Sequence, residues 1–285
     1  MKIKIVTMEE RKKNEILAKQ MINIEKQEDM ILNKKENAFI KEKITPVMDK
    51  IQDKIPDNLQ SLLDSAFYTS FQLVFEKGIT YIERTYNKNK LLLEYDLNNY
   101  AVNKDLSNRR IRNLDKQSNL STALNSSIAV IEGGVLGVLG IGLPDIPLFI
   151  AVLIRTINEI ALSYGYQYDT KEEKAFLLNL ICTAMAKGEN QKTYDTMADR
   201  LIENIDSDIF MDIDLDKRMK ETSKILSEAL LTVKFIQGIP IVGVIGSAVN
   251  HSIVNKVGRY AQVKYKKRYL LSKMKEESDM NDIDE

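Results

Sequence analysis

The sequence predicts an all-α protein, and three observations carry that prediction. Apolar residues recur at helical spacing over residues 59–74 and 146–164. Capping residues and glycines stand where those runs start and stop. Alternating strand patterns are sparse along the whole chain.

Taken in order, residues 1–44 are mixed in charge and low in glycine, and read as a helical N-terminal extension. Leu17, Met21, Ile24 and Ile31 follow a/d spacing, but Glu28 and Lys35 interrupt the seam, so a solvated or partner-dependent helix is expected. Thr45 and Pro46 suit an N-cap and a first helical position; Pro56 ends that short helix and Asp57 caps the next. Leu59, Leu62, Leu63, Ala66, Phe67, Ser70, Phe71 and Val74 form one stripe of a core helix ending at Gly78. Residues 84–117 hold eight Lys/Arg against four Asp/Glu and are expected to be partly exposed. Ser121 or Thr122 can start a helix that ends at Gly133-Gly134.

Asp145 is placed to cap a helix whose buried face is Phe149, Ile150, Leu153, Ile157, Ile160, Ala161 and Tyr164, with Gly165 as its stop. Thr170 and Glu173 make a capping-box pattern for a helix running to about Lys187 and Gly188. Residues 189–228 are acidic, and residues 235–255 carry no Lys, Arg, Asp or Glu. Residues 45–275 read as one helical domain, and residues 276–285, with six acids and no base, as a disordered tail.

Two apolar stretches bear glycine: GGVLGVLGIGLPDIPLFIAVLIR from Gly133, and FIQGIPIVGVIGSAVNHSIVN from Phe235. A simple membrane span needs about 20 predominantly apolar residues. Pro144, Asp145 and Pro147 break the first stretch, and polar residues dilute the second. Both therefore read as core helices or shallow insertions, packed centrally through Gly133 and Gly137 in one and Gly243 and Gly246 in the other.

Composition limits the chemistry. Basic and acidic residues balance at 41 each, which argues against a nucleic-acid binder. One histidine, His251, and one cysteine, Cys182, do not make a metal site or a disulfide framework, and no cofactor motif is present. Cys182 reads as a small buried hydrophobe. The start has no apolar run of secretory length, so no signal peptide is read. The run Asp206, Asp208, Asp212, Asp214, Asp216 suggests calcium, but Lys217 and Ser223 stand where an EF-hand needs glycine and glutamate, so a solvated acidic loop is expected.

Asp145, Arg155 and Glu159 are the candidate catalytic group, able in principle to bind or protonate a substrate in a cleft. The competing reading is a helix cap plus an intrahelical ion pair. Residues 256–275 hold eight basic residues and no acid. Lys256, Arg259, Lys264, Lys266, Lys267 and Arg268, interleaved with Val257, Ala261, Tyr265 and Tyr269, suit an anionic membrane surface.

The Pro-Asp-Ile-Pro corner, the arginine-bearing apolar helix and Tyr164-Gly165-Tyr166 resemble the most distinctive block of the EcsC family. A second block, with Ile239-Pro240, Val242-Gly243, Gly246, Asn250, Ala261, Arg268 and Leu270, is similar to that family's in order and separation, giving a match over about residues 55–272. The resemblance implies an α-helical, membrane-associated bacterial protein, from a family named for a protein encoded beside an ABC transporter, and supplies no catalytic residues. The expected role is non-catalytic docking at the cytoplasmic face of the membrane, on anionic lipid or a membrane protein. The alternatives are a hydrolase of lipid or peptide, and a membrane-permeabilising protein.

Overall fold

The computed structural model describes residues 8–33, 57–137, 145–236 and 247–283, with no strand among them. Helix α1 spans Met8–Leu32 and α2 spans Asp57–Leu73. A π-helical turn, Val74–Gly78, joins α2 to α3, Ile79–Glu83. Gly78 is thus not a stop: it keeps right-handed helical angles and the chain continues for another turn. Next come α4, Lys88–Lys104, and α5, Asn108–Gly137. Ser121 and Thr122 lie inside α5, buried, rather than at its start. The remaining helices are α6, Asp145–Ser163; α7, Lys171–Met185; α8, Gly188–Asp206; α9, Leu215–Ile236; and α10, Ser247–Ile283.

Helix α6 is the centre of the bundle. Ile146, Ile150, Leu153, Ile154, Ile157, Ile160 and Ala161 are 0% exposed, covered by α5, α10, α2 and α4. Full burial of such a side chain contributes about 1.5–3 kcal/mol before entropy is counted. Among the described residues α6 alone is long and apolar enough to cross a membrane, yet 78% of its apolar window is buried, so its surface is already occupied by neighbours. Its end follows the expected chemistry. Gly165 adopts φ +85°, and the Tyr166 N–H donates back to the Ala161 carbonyl at 2.9 Å, closing the last turn.

Thr170 caps α7 by accepting the Glu173 N–H at 3.1 Å. The reciprocal half of the box is missing, because the Glu173 carboxylate turns inward to Arg268 at 2.6 Å. The extension helix α1 has its partner inside the chain: Leu17 and Ile24 are each 1% exposed, and α1 packs on α10. At the other terminus α10 continues to Ile283, with Glu277 paired to Lys13 at 3.3 Å and Glu276 to Lys273 at 2.6 Å. The stretch expected as a disordered tail is therefore helical through Ile283, drawn on by those pairs. The Thr45, Pro46 and Pro56 signals lie outside the described residues.

Long-range contacts fix helix direction. Thr122 meets Gly258, and Asp115 meets Gln262 and Lys266, so α5 and α10 run antiparallel. A Cβ on Gly258 would sit 2.7 Å from the Thr122 methyl carbon, a close approach that glycine permits. The Tyr164 hydroxyl donates to Asp115 and its ring lies near Tyr269, so α6 runs with α10. Tyr260 donates to Asp195 and Lys264 to Asp199, setting α8 beside α10 in the same sense. Glu221 and Thr222 lie beside Tyr194 and Cys182, close to the level of Tyr260, and α9 runs on from there to Ile236. The last turns of α5 and α9 and the first turns of α6 and α10 consequently share one end of the bundle.

Candidate functional site

The end of the bundle just described is where both glycine-bearing stretches leave and return. Residues 138–144 join α5 to α6, and residues 237–246 join α9 to α10; neither segment contains a charged side chain. Beside them, Leu148 in the first turn of α6 is 38% exposed, whereas Leu120 and Leu124 of α5, each 54% exposed, lie about 20–25 Å back along the bundle, at the level where Thr122 meets Gly258. Lys256 and Arg259 are exposed on the neighbouring turns of α10. Gly133 and Gly137 belong to the last turns of α5, with surroundings outside the described residues, and Gly243 and Gly246 fall outside them altogether.

The rest of the basic run does something else. Lys264 is 0% exposed, and its ammonium lies among Glu28, Asp195 at 2.8 Å and Asp199 at 2.7 Å. Lys267 bonds Glu28 at 2.9 Å and Asp199 at 3.2 Å. Burial alone would pull the Lys267 ammonium below its ordinary value, but the Glu28 and Asp199 carboxylates outweigh that and hold it above. Lys266 bonds Asp115 at 2.7 Å, and Arg268 bonds Glu173 and Asp206, each at 2.6 Å. Burial still leaves Glu173 above the usual carboxylate range, against the pull of Arg268.

The membrane-facing assignment of Lys264, Lys266, Lys267 and Arg268 is therefore corrected: these four fasten α10 to α1, α5, α7 and α8. The Glu28 that interrupts the α1 seam is an anion shared by Lys264 and Lys267. Glu28, Asp195 and Asp199 come within 4.8 Å of one another, as metal ligands would, but the cation they surround is the Lys264 ammonium.

The Asp145, Arg155 and Glu159 cleft does not assemble. Arg155 Nε donates to Glu159 Oε1 at 2.6 Å, an i,i+4 pair on one helix. Asp145 is the first residue of the same helix, and at ~1.5 Å rise per residue its backbone lies about 15 Å along the axis from Arg155. Beside the pair, the Arg155 guanidinium lies 5.7 Å from the Tyr86 ring centre. Tyr86 and Tyr168 share a 2.7 Å hydrogen bond, and Tyr168 donates to Glu83 at 2.6 Å. Lys88 holds Glu83 at 2.8 Å and, with the Tyr168 hydrogen bond, keeps it below its ordinary value. Every charge in this group has a partner, and the group ties α3 and α4 to the end of α6.

The other singled-out residues also have structural duties. Asp206 pairs with Arg268, Asp214 caps α9 through the Lys217 N–H at 3.0 Å, and Asp216 meets Lys220 and Tyr68. Asp208 and Asp212 lie exposed in the loop, so the run forms no common calcium shell. Cys182 is buried against Thr222 at 3.2 Å, and burial pushes its thiol up to about 12. His251 lies 2.8 Å from the Asn255 amide nitrogen.

A feature the sequence did not announce is a groove of about 870 Å³ between α1 and α5, lined by Lys19, Asn23, Lys26, Arg112 and Lys266 with Asp115. Helical spacing on α1 hinted at half of it; the pairing of α1 with α5 across the fold was not visible.

The two blocks noted in the sequence meet in space. The Arg268 guanidinium stacks 4.0 Å from the centre of the Tyr166 ring, and Tyr164 lies against Tyr269. A family model described as the EcsC protein family matches residues 18–270, taking in most of α1 as well as the domain read from the sequence. An uncharacterized protein, YdbA of Bacillus subtilis (strain 168), is 27% identical over 161 residues, covering 53% of this chain and 56% of that relative. The chain thus aligns with little more than half of that relative's length. No solved structure matches. With both blocks packed together and the family model running from α1 to the fasteners of α10, the chain belongs to the EcsC protein family.

Proposed function

We propose that this protein is a non-catalytic bacterial membrane-docking protein, acting at the cytoplasmic face as an accessory to a membrane complex such as an ABC transporter. It docks through the end of the bundle where residues 138–144 and 237–246 emerge. The observation that carries this reading is the convergence, on one end of the bundle, of the helix ends that flank two charge-free, glycine-bearing segments, with Leu148 exposed beside them and Lys256 and Arg259 exposed further along α10. Shallow apolar insertion supplies binding energy, and basic residues add about 1 kcal/mol each near an anionic surface. Two such cations give weaker steering than the eight counted in the sequence, so apolar insertion dominates.

Vesicle flotation tests it. The folded protein is expected to float with anionic vesicles and less with zwitterionic ones. Changing Leu148, exposed in the first turn of α6, to Asp should strongly reduce flotation while leaving the helical spectrum intact. Failure of the folded wild-type chain to float with either vesicle overturns the proposal. Release of an entrapped dye on binding would instead identify permeabilisation.

A further inference from the structure

The groove between α1 and α5 is separate from the docking end. Gln20 donates to Asn108 across it at 2.7 Å, and its floor reaches Asp115 and Lys266, several turns of α10 away from the glycine-bearing segments. Along α1, Lys19, Asn23, Lys26 and Met30 repeat at the i, i+4, i+7, i+11 spacing of a single helix face. Arg112 stands on the opposite wall, and Asp115, the one acid in the lining, is committed to Lys266 at 2.7 Å. Ile22 and Met30 flank this basic strip and are 49% and 63% exposed. The surface thus asks for a segment about as long as three helical turns, acidic, with a few apolar side chains.

The chain itself contains such a segment. Residues 276–285, EESDMNDIDE, hold six acids, no base, and the apolar pair Met280 and Ile283 one helical turn apart. Its helix carries it away from its own groove, since α10 runs on past the α1 N-terminal half, where Glu277 meets Lys13. That contact shows the same acidic stretch pairing with a lysine of α1 in one place already. A chain with 41 acids and 41 bases that segregates them into a basic groove and an acidic helix end is complementary to itself. A reciprocal exchange between two copies closes on itself and leaves neither feature exposed.

We propose that two copies associate by each laying its acidic segment 276–285 into the α1–α5 groove of the other. Exposed Lys19, Lys26 and Arg112 meet the carboxylates, and Ile22 and Met30 meet Met280 and Ile283.

Sedimentation of the full chain at low and high salt, with charge-reversed variants, tests this. The wild type is expected to be a dimer whose dissociation constant rises at least about tenfold between low and moderate salt. Lys19→Glu with Lys26→Glu, and separately Asp279, Asp282, Asp284 and Glu285 changed together to Lys, should each give folded monomers. Mixing the two variants should restore a one-to-one dimer, because each reversed groove then meets an oppositely charged segment. A wild-type monomer at every concentration overturns the proposal. So does a dimer indifferent to both reversals, or monomeric variants that do not recombine. None of these outcomes depends on membrane binding, so failure here leaves the docking end untouched.

Discussion

Helices α6 and α10 carry the same kind of sequence feature and use it differently. Each is a largely buried helix with basic residues that look available for function. On α6, Arg155 is answered by Glu159 four residues later, inside the same helix. On α10, Lys264, Lys266, Lys267 and Arg268 are answered by Glu28, Asp115, Glu173, Asp195, Asp199 and Asp206, from four other helices. A local pair adds little to a fold, whereas a buried cation holding several elements leaves uncompensated charge when removed. The comparison teaches that a run of lysines on a helix is a membrane signal only where the fold leaves it outside.

The largest expected effect breaks the α10 side of that comparison. Lys264→Met removes the cation common to Glu28, Asp195 and Asp199, leaving Lys267 and the Tyr260 hydroxyl as their remaining partners, and should cost ~3 kcal/mol in denaturant unfolding. Glu28→Gln, which leaves Lys264 its two aspartates, should cost less. A Lys264→Met protein as stable as wild type would mean the cluster does not fasten α1 and α8 to α10.

Close packing comes next. Gly165→Ala places a Cβ 2.2 Å from the Tyr95 ring at a φ of +85°, so both crowding and backbone strain act, and a loss of about 1–3 kcal/mol is expected. Gly258→Ala meets the single side chain Thr122, its methyl carbon at 2.7 Å and its hydroxyl oxygen at 3.0 Å. Combining it with Thr122→Ser, which removes that methyl, should recover most of its smaller loss; no recovery would place the strain elsewhere.

The α6 side should respond weakly. Arg155→Gln with Glu159→Gln keeps polar side chains of similar size and is expected to cost about 1 kcal/mol or less, with vesicle binding unchanged. Loss of binding with an intact fold would return this pair to the list of functional residues.

The smallest effect concerns Cys182. Its thiol, at about 12 against an ordinary 9.0, should resist alkylation at pH 8 until the protein unfolds. Because the folded value lies above the ordinary one, the fold favours the neutral thiol. That contribution is complete below pH 9.0 and fades as pH rises toward about 12. Rapid labelling of the folded chain at pH 8 would show that the α7–α9 contact is open.

What was legible in the sequence follows the same division. The buried face of α6, the Gly165 stop and the Thr170 cap are local patterns, and periodicity and capping chemistry express them within a few residues. The Arg155–Glu159 pair was legible for the same reason. The fastening role of Glu28 was not, because nothing near residue 28 points to residues 264 and 267. Gly78 misled because glycine is only a weak helix breaker, and the buried Val74 and Ile82 on either side keep the helix going. Gly258 went unnoticed because it sits in a basic run rather than a glycine-rich one, and only its contact with Thr122 gives it meaning.

The most direct test of the docking account compares two ends of the molecule with one probe. An environment-sensitive fluorophore is attached at Leu148→Cys, in the first turn of α6 beside the glycine-bearing segments, or at Tyr100→Cys on α4, near the end where Asn103 meets Lys273. Both positions are exposed, and the buried Cys182 stays unlabelled in the folded chain. On adding anionic vesicles, a blue shift is expected at position 148 and none at position 100. A shift at position 100 with none at 148 would contradict docking through that end.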